Sequence, residues 1–182
     1  LGVELKELNL GGGFGIAYLD ENDPVPFDHY MEAVAHTIHA FCAEHDCPVP
    51  YVLLEPGRSI VGGAGVTLYT VGSVKNIPGI RTYVGVDGGI TDNPRYALYR
   101  SDYEVVNAKC AGAPKTERVT IAGRCCESGD LIQEHAPIQP VTSGDTLAVL
   151  STGAYNYSMA SNYNRVPRPP VVFVCQVADA LQ

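Results

Sequence analysis

Tyr51-Val52-Leu53-Leu54-Glu55-Pro56-Gly57-Arg58 runs from four apolar residues directly into a polar tetrapeptide. The apolar half has the length of a short buried strand. Glu55 and Arg58 follow it at once; as a surface ion pair they would contribute little, but after a strand they suit a site. Upstream, Leu5-Lys6-Glu7-Leu8-Asn9-Leu10 repeats the arrangement and ends in Gly11-Gly12-Gly13-Phe14-Gly15. Between the two, Val34, Ile38 and Phe41 recur at helical spacing, with Asp28 as the expected cap, Glu32 near the start and an end near His45-Asp46. His36, His39 and His45 read as the solvated face of that helix. Strand, helix, strand, with loops following the strands, is the unit of a parallel α/β fold, whose ligands sit at the carboxyl ends of the strands.

The glycine run is not followed by Gly-Lys-Ser/Thr, and Asp20 to Pro26 reads as loop rather than helix, so nucleotide binding is disfavoured. On its own, a ligand-free glycine turn explains the run as well as phosphate binding does. From Val66 the pattern changes. Val66–Lys75, Thr82–Asp87, Glu104–Ala108, Arg118–Ala122, Thr146–Leu150 and Val171–Val177 are β-branched or aromatic runs separated by Gly, Pro, Asn and Asp, which predicts an all-β region. The expected division is 1–63, the tail of an α/β domain, and 64–182, a β-sandwich or barrel.

Three loops of the second region are rich in polar groups. Asp87–Tyr99 places Arg95 and Tyr99 four residues apart, on one face if the segment is helical, where they could grip a carboxylate. Ser151–Met159 carries Tyr155 among several side-chain donors. Cys125-Cys126-Glu127-Ser128-Gly129-Asp130 sets a thiol beside a carboxylate, a pairing suited to proton transfer. With the glycine run and Glu55–Arg58, these describe one site for an amino acid held on a phosphorylated organic cofactor.

Bulk properties narrow the classes. The 182 residues are 46% hydrophobic and 18% charged, as in a folded globular protein. A net charge of −8 with only 12 Lys and Arg disfavours nucleic acid as a partner. No apolar run is long enough to span a bilayer, so no membrane partner is expected. The six Cys contain no Cys-x-x-Cys, and Cys125 and Cys126 could close a disulfide only with strain, so free thiols in a reducing cytoplasm are expected. Cys42, Cys110 and Cys175 read as small apolar packing residues. No metal site is expected, because the His residues lack a matching second pair of ligands. The start Leu1-Gly2-Val3-Glu4 has no initiator Met, which suggests a piece of a longer chain.

As a set, the segments Leu8–Tyr18, Glu55–Val66, Val86–Tyr99, Cys125–Asp130 and Ser151–Asn164 resemble the pyridoxal-phosphate decarboxylases of fold type III. The resemblance implies the last strands of an eight-stranded α/β barrel followed by most of a C-terminal β-domain. It also implies the cofactor pyridoxal 5'-phosphate, a small amino-acid substrate and a homodimer with shared active sites. By resemblance Gly11, Gly12 and Gly13 offer backbone N–H groups to the cofactor phosphate, Gly57 lies in the cofactor-binding loop, and Glu55 faces the pyridine nitrogen. Arg58 binds phosphate or substrate carboxylate. Arg95 and Tyr99 hold the distal carboxylate, Glu127 accepts the distal ammonium group, and Tyr155 contacts both cofactor and substrate. Cys126 is implied as the catalytic proton donor after decarboxylation.

Glu127-Ser128-Gly129-Asp130 after the Cys, where ornithine-type relatives carry Asp-Gly, points by resemblance to the diaminopimelate branch, which forms L-lysine and carbon dioxide from meso-2,6-diaminopimelate. The chain departs from the family at Tyr96, where members often carry Pro. None of Lys6, Lys75, Lys109 or Lys115 sits in the motif of the family's cofactor-bearing lysine, which is expected upstream, so this piece should be inactive alone. The competing readings are a sister decarboxylase of another diamino acid or carboxylated polyamine, and a non-catalytic relative that binds a partner protein.

Overall fold

The computed structural model describes residues 4–175. In the N-terminal part, β1 (Glu7–Asn9) and β2 (Tyr51–Leu53) form a parallel pair in the register Glu7↔Tyr51, Leu8↔Val52, Asn9↔Leu53, joined by the helix α1 (Phe27–Glu44). This is the strand, helix, strand unit expected from the sequence. Pro26, with φ −56° and ψ 146°, occupies the N-cap position. Asp28, expected as the cap, instead lies in the first turn, where its Oδ1 accepts the His29 N–H at 2.9 Å. It still opposes the positive end of the helix dipole. The helix leaves its axis at His45, whose N–H reaches the Phe41 carbonyl, and Asp46 takes a left-handed φ of 47°.

The two strands were expected to be buried, and here they are not: Tyr51 is 80% exposed, and Val52 and Leu53 about 40%. A two-stranded pair has only α1 to pack against, so one face stays open. Leu5, Leu8, Ile38, Phe41 and Cys42 line an apolar groove of about 430 Å³ beside Pro48 and Pro50. Of the three thiols expected to pack as apolar residues, Cys42 is buried, Cys110 is half-buried and Cys175 is exposed; all six Cys are free.

After α2 (Arg58–Val61) and a tight turn over Gly62–Ala64 the chain becomes β-structure. A six-stranded sheet has the order β5-β8-β3-β4-β6-β7, built from β3 (Thr67–Ile77), β4 (Arg81–Val86), β5 (Val105–Asn107), β6 (Glu117–Ala122), β7 (Leu131–Ile138) and β8 (Thr146–Val149). β4 and β6 run parallel and the other pairs antiparallel. Alternating residues Tyr69 and Val71 of β3, Val84 and Val86 of β4 and Ala136 and Ile138 of β7 point into one core with Ile121, Leu147 and Tyr103.

The end strands β5 and β7 approach each other without a backbone ladder. Amide side chains bridge them instead: Gln133 Oε1 accepts the Tyr103 N–H at 3.0 Å, and Gln139 Oε1 accepts the Asn107 N–H at 3.0 Å. Both glutamines are buried, and the sheet is nearly closed on itself. An open edge would leave these N–H groups unpaired.

Five of the six expected strands are present within a residue or two of their expected bounds. The sixth, Val171–Val177, is not: 171–175 form no strand and are exposed, and 176–177 lie outside the described residues. β7 was not expected from the sequence. Between Ile132 and Ile138 its Gln, Glu, His, Ala and Pro are poor strand formers, His135 has a left-handed φ of 54°, and the register against β6 shifts beside it. Pro137 is tolerated because β7 ends the sheet order.

The two parts meet through glycines. The Thr152 and Gly153 N–H groups donate to the carbonyls of Gly65 (2.9 Å) and Gly62 (3.0 Å), and a Cβ on Gly153 would overlap the Val61 carbonyl oxygen. Substitution Gly153→Ala is therefore expected to lower stability by about 1–3 kcal/mol, whereas Gly112→Ala, in open space, should be near neutral. Thermal denaturation of the two variants beside the parent checks this; equal midpoints would contradict it.

Candidate functional site

The parallel pair β1/β2 sets the first group of residues. The ladder extends past the strands, with the Leu10 N–H on the Leu53 carbonyl (3.0 Å) and the Glu55 N–H on the Gly11 carbonyl (2.7 Å). Gly11 and Gly13 have φ of 70° and 94°, which other residues rarely adopt, and a Cβ on Gly12 would overlap the Glu55 carbonyl oxygen. The glycine loop thus lies against the Glu55 backbone. Asn9 fixes both: its Nδ2 donates to Glu55 Oε1 at 2.6 Å, and its Oδ1 accepts the Gly11 N–H at 2.7 Å.

Gly57 precedes α2, and Arg58 opens it. The Arg58 guanidinium lies 5.9 Å from the Tyr18 ring centroid and 5.8 Å from that of Tyr155, and its Nε is buried without a hydrogen-bond partner. Tyr155 itself has a left-handed φ of 70°, an uncommon conformation for a residue with a Cβ. The same ring lies 5.0 Å from the guanidinium of Arg95.

Arg95 and Tyr99 begin and end the short helix α3 (Arg95–Tyr99), so they share a face, 5.4 Å apart from guanidinium to ring centroid. Arg95 is 8% exposed. Its Nη2 makes one long hydrogen bond to Ser101 Oγ (3.4 Å), and its Nε has no partner. Among the described residues no carboxylate pairs with Arg95 or Arg58. Two cations thus flank the Tyr155 ring, and no acidic group of the described chain neutralises either. Tyr18 and Tyr103 pack edge to face at 5.1 Å behind them, and the Tyr103 hydroxyl donates to Asn156 Oδ1 at 3.2 Å. Burial raises the Tyr103 hydroxyl pKa, so it stays protonated at neutral pH.

The Cys126 loop stands apart. Asp130 anchors it: its carboxylate accepts the N–H groups of Cys125 (2.6 Å) and Ile90 (2.7 Å), and Gly89 and Gly123 have no Cβ because Asp130 fills that space. Cys125 is buried, and burial, then the charge of Asp130, pushes its thiol up. Cys126 and Glu127 project outward and are exposed; Glu127 Oε1 accepts the Gly129 N–H at 3.2 Å. Among the described residues, no hydrogen bond or ion pair joins Cys126 or Glu127 to Glu55, Arg58, Arg95, Tyr99 or Tyr155. The sequence reading put all of these in one site. A single copy of the chain gathers Gly11 to Gly13, Glu55 and Gly57 around one loop pair, and Arg58, Arg95, Tyr99 and Tyr155 around one another.

Tyr96, the departure noted in the sequence, is 7% exposed and donates its hydroxyl to Glu134 Oε2 at 2.8 Å. Asn9, Tyr18 and Glu134 were missed by sequence reasoning. An Asn just before a glycine turn is a recognisable signal; for Tyr18 and Glu134 no local signal exists, since their partners lie far along the chain. No group of three or more His, Cys, Asp or Glu among the described residues is placed to hold a metal, and no described helix is long and apolar enough to cross a membrane.

Comparison with known proteins places this arrangement. Residues 33–153 match the family described as pyridoxal-dependent decarboxylase, C-terminal sheet domain, and residues 1–62 match pyridoxal-dependent decarboxylase, pyridoxal binding domain. The chain belongs to the pyridoxal-dependent decarboxylase family. It is 51% identical over 174 residues to diaminopimelate decarboxylase of Bacillus methanolicus, covering 96% of this chain and 40% of that protein. The enzyme of the same name from Bacillus subtilis (strain 168) is 51% identical, with 93% and 38% covered. Among solved structures, diaminopimelate decarboxylase from M. jannaschii in co-complex with L-lysine superposes with a TM-score of 0.82 at 36% identity, over 92% of this chain and 38% of that one. The chain thus spans about two fifths of the length of the relatives it matches.

The Asp130 anchor of the Cys126 loop can be tested. Asp130→Ala leaves the buried Cys125 N–H without its acceptor, a loss of about 1–3 kcal/mol. Faster amide hydrogen exchange at both Cys125 and Ile90 is expected; unchanged exchange would show that the carboxylate does not hold the loop.

Proposed function

We propose that this chain is part of a decarboxylase that converts meso-2,6-diaminopimelate to L-lysine and carbon dioxide with pyridoxal 5'-phosphate. In this reading residues 1–63 are the last strands of a cofactor-binding α/β barrel, and 64–182 the C-terminal β-domain. The named relatives and the lysine complex of the M. jannaschii enzyme support the substrate. The free thiols support a reducing, cytoplasmic setting. The observation that carries the reading is Arg95: a buried guanidinium stacked by two tyrosine rings, with no carboxylate of the described chain to pair with. Such a group is costly unless an anion completes it. A substrate that keeps a second carboxylate, remote from the bond that breaks, supplies that anion.

The residues present fit the cofactor. Gly11 and Gly13 take left-handed conformations, and because the Gly11 N–H is held by Asn9 Oδ1, Gly12 and Gly13 would offer the backbone N–H groups to a phosphate. The unpartnered Arg58 Nε faces the same need for an anion. When bound, the pyridinium ring supplies an electron sink for the bond to carbon dioxide. Glu55, oriented by Asn9, would accept the ring N–H and keep that nitrogen protonated. Gly57, where a Cβ would meet only open space, would leave room for the cofactor beside the loop between Glu55 and Arg58. Arg95, with Tyr99, would hold the distal carboxylate through a planar fork, and the Tyr155 ring would pack between cofactor and substrate. Cys126 Sγ–H would deliver a proton to the carbon that has lost carbon dioxide, and Glu127 would accept the distal ammonium group.

In one copy Cys126 and Glu127 are exposed and form no hydrogen bond or ion pair with either arginine. They would therefore complete the site of a second copy, which makes the enzyme a homodimer with shared active sites.

The test uses the full-length, cofactor-loaded protein. Carbon dioxide release from meso-diaminopimelate is expected, and Arg95→Ala should lower kcat/KM on the order of 100-fold, as for a buried charged pair losing one partner. A change below threefold would remove Arg95 from carboxylate recognition.

A further inference from the structure

Helix α3 has five residues, and its N-cap Pro94 makes no side-chain hydrogen bond to it. A helix this short does not hold itself together, so its orientation is set from outside. Orientation matters because Arg95 has little else to fix it: one long hydrogen bond to Ser101 and two aromatic rings. Wherever α3 turns, the guanidinium turns with it.

The neighbouring face of α3 shows what fixes it. Tyr96 and Arg100, four residues apart, both reach Glu134 Oε2 on β7, the hydroxyl at 2.8 Å and the guanidinium at 3.6 Å. The Arg100 guanidinium also covers the Tyr96 ring at 5.2 Å, and Arg100 ends the helix in a left-handed conformation with φ 54°. The other carboxylate oxygen of Glu134 is taken by the sheet: Arg81 Nη1 of β4 donates to Oε1 at 2.8 Å. One oxygen therefore holds the helix and the other holds the sheet. Hydrogen bonds from Arg81, then Tyr96, keep the Glu134 carboxyl below its ordinary range, so the bridge stays ionised at neutral pH.

We infer that Glu134 is a positioning residue for distal-carboxylate recognition: by bridging Arg81 on the sheet to Tyr96 on α3 and Arg100 at its C-cap, it sets the direction in which Arg95 points. This rests on the reading of Arg95 given under the proposed function. Both carboxylate oxygens of Glu134 are taken by side chains of this chain, so its loss should alter binding of the distal carboxylate and leave the bond-breaking step alone.

The experiment uses the full-length, cofactor-loaded protein with Glu134→Ala, Glu134→Gln, Tyr96→Phe and Arg95→Ala. The readouts are KM and kcat for meso-diaminopimelate, and calorimetric binding of L-lysine beside cadaverine. L-Lysine keeps the distal carboxylate and cadaverine lacks it. For Glu134→Ala, KM and the L-lysine Kd should each rise about tenfold, in line with hydrogen bonds to a charged group, while kcat and cadaverine binding stay within twofold. Glu134→Gln keeps an acceptor for Tyr96 and should recover part of the loss. Tyr96→Phe, which removes one hydrogen bond and keeps the ring, should shift L-lysine binding in the same direction by less.

Equal losses for L-lysine and cadaverine would show Glu134 to be merely structural and overturn the inference. So would unchanged L-lysine binding in both Glu134→Ala and Tyr96→Phe while Arg95→Ala weakens it. If Arg95→Ala itself leaves L-lysine binding unchanged, the reading of Arg95 falls, and this inference falls with it.

Discussion

The candidate site depends on one close backbone approach. Gly153 lies so near the Val61 carbonyl and Gly65 that no side chain fits between them. Two N–H donors from Thr152 and Gly153 hold the contact, and the Thr67 and Thr152 hydroxyls join beside it at 2.8 Å. The seat fixes α2 against the loop that carries Tyr155. Through it, Arg58 from one part of the chain and Arg95 from the other come to flank a single ring. Beside that seat, the Glu104 N–H donates to the Tyr18 carbonyl (2.8 Å) and Tyr18 packs on Tyr103, so the N-terminal part is joined to the sheet at more than one point.

The charges of the site are arranged by the same geometry. Acids elsewhere in the sheet domain are satisfied within the chain: Asp130 by backbone N–H groups, Asp92 by the Tyr69 hydroxyl and the Gly89 N–H, Glu134 by Arg81 and Tyr96. Burial pushes both the Asp92 carboxyl and the Tyr69 hydroxyl up, which suits a structural hydrogen bond rather than a free charge. The two arginines beside Tyr155 are left without acids, while Glu127 is left exposed beside Cys126. In the proposed reading an anionic ligand would answer the first, and a second copy of the chain offering its Cys126 loop would answer the second.

Much of the fold could be read from the sequence because each signal was local. Helical spacing of Val34 and Ile38 marked α1, and β-branched runs marked most of the strands. The glycine run was legible as a close approach, although not that the surface approached was the Glu55 backbone. β7 escaped because Gln133, Glu134, His135 and Pro137 are chosen for side-chain bridges and a bulge rather than for strand propensity. The exposure of β1 and β2 escaped because apolar composition tells what a strand would bury, not whether a neighbour is present. In the site, Arg95 and Tyr99 were legible from their spacing. The Tyr18–Tyr103, Tyr103–Asn156 and Glu134 contacts join residues 34 or more positions apart, and no local pattern records such a pairing.

Whether two copies share one site, as proposed, can be measured directly. Full-length Cys126→Ala and Glu55→Ala homodimers, each inactive in meso-diaminopimelate decarboxylation, would be mixed, dissociated and reassociated. If the cofactor loop of one copy works with the Cys126 loop of its partner, half the dimers become mixed and each has one intact site, so roughly a quarter of the parent activity should return. Activity that stays at the sum of the two separate variants would contradict a shared site and place Cys126 with the Glu55 of its own chain.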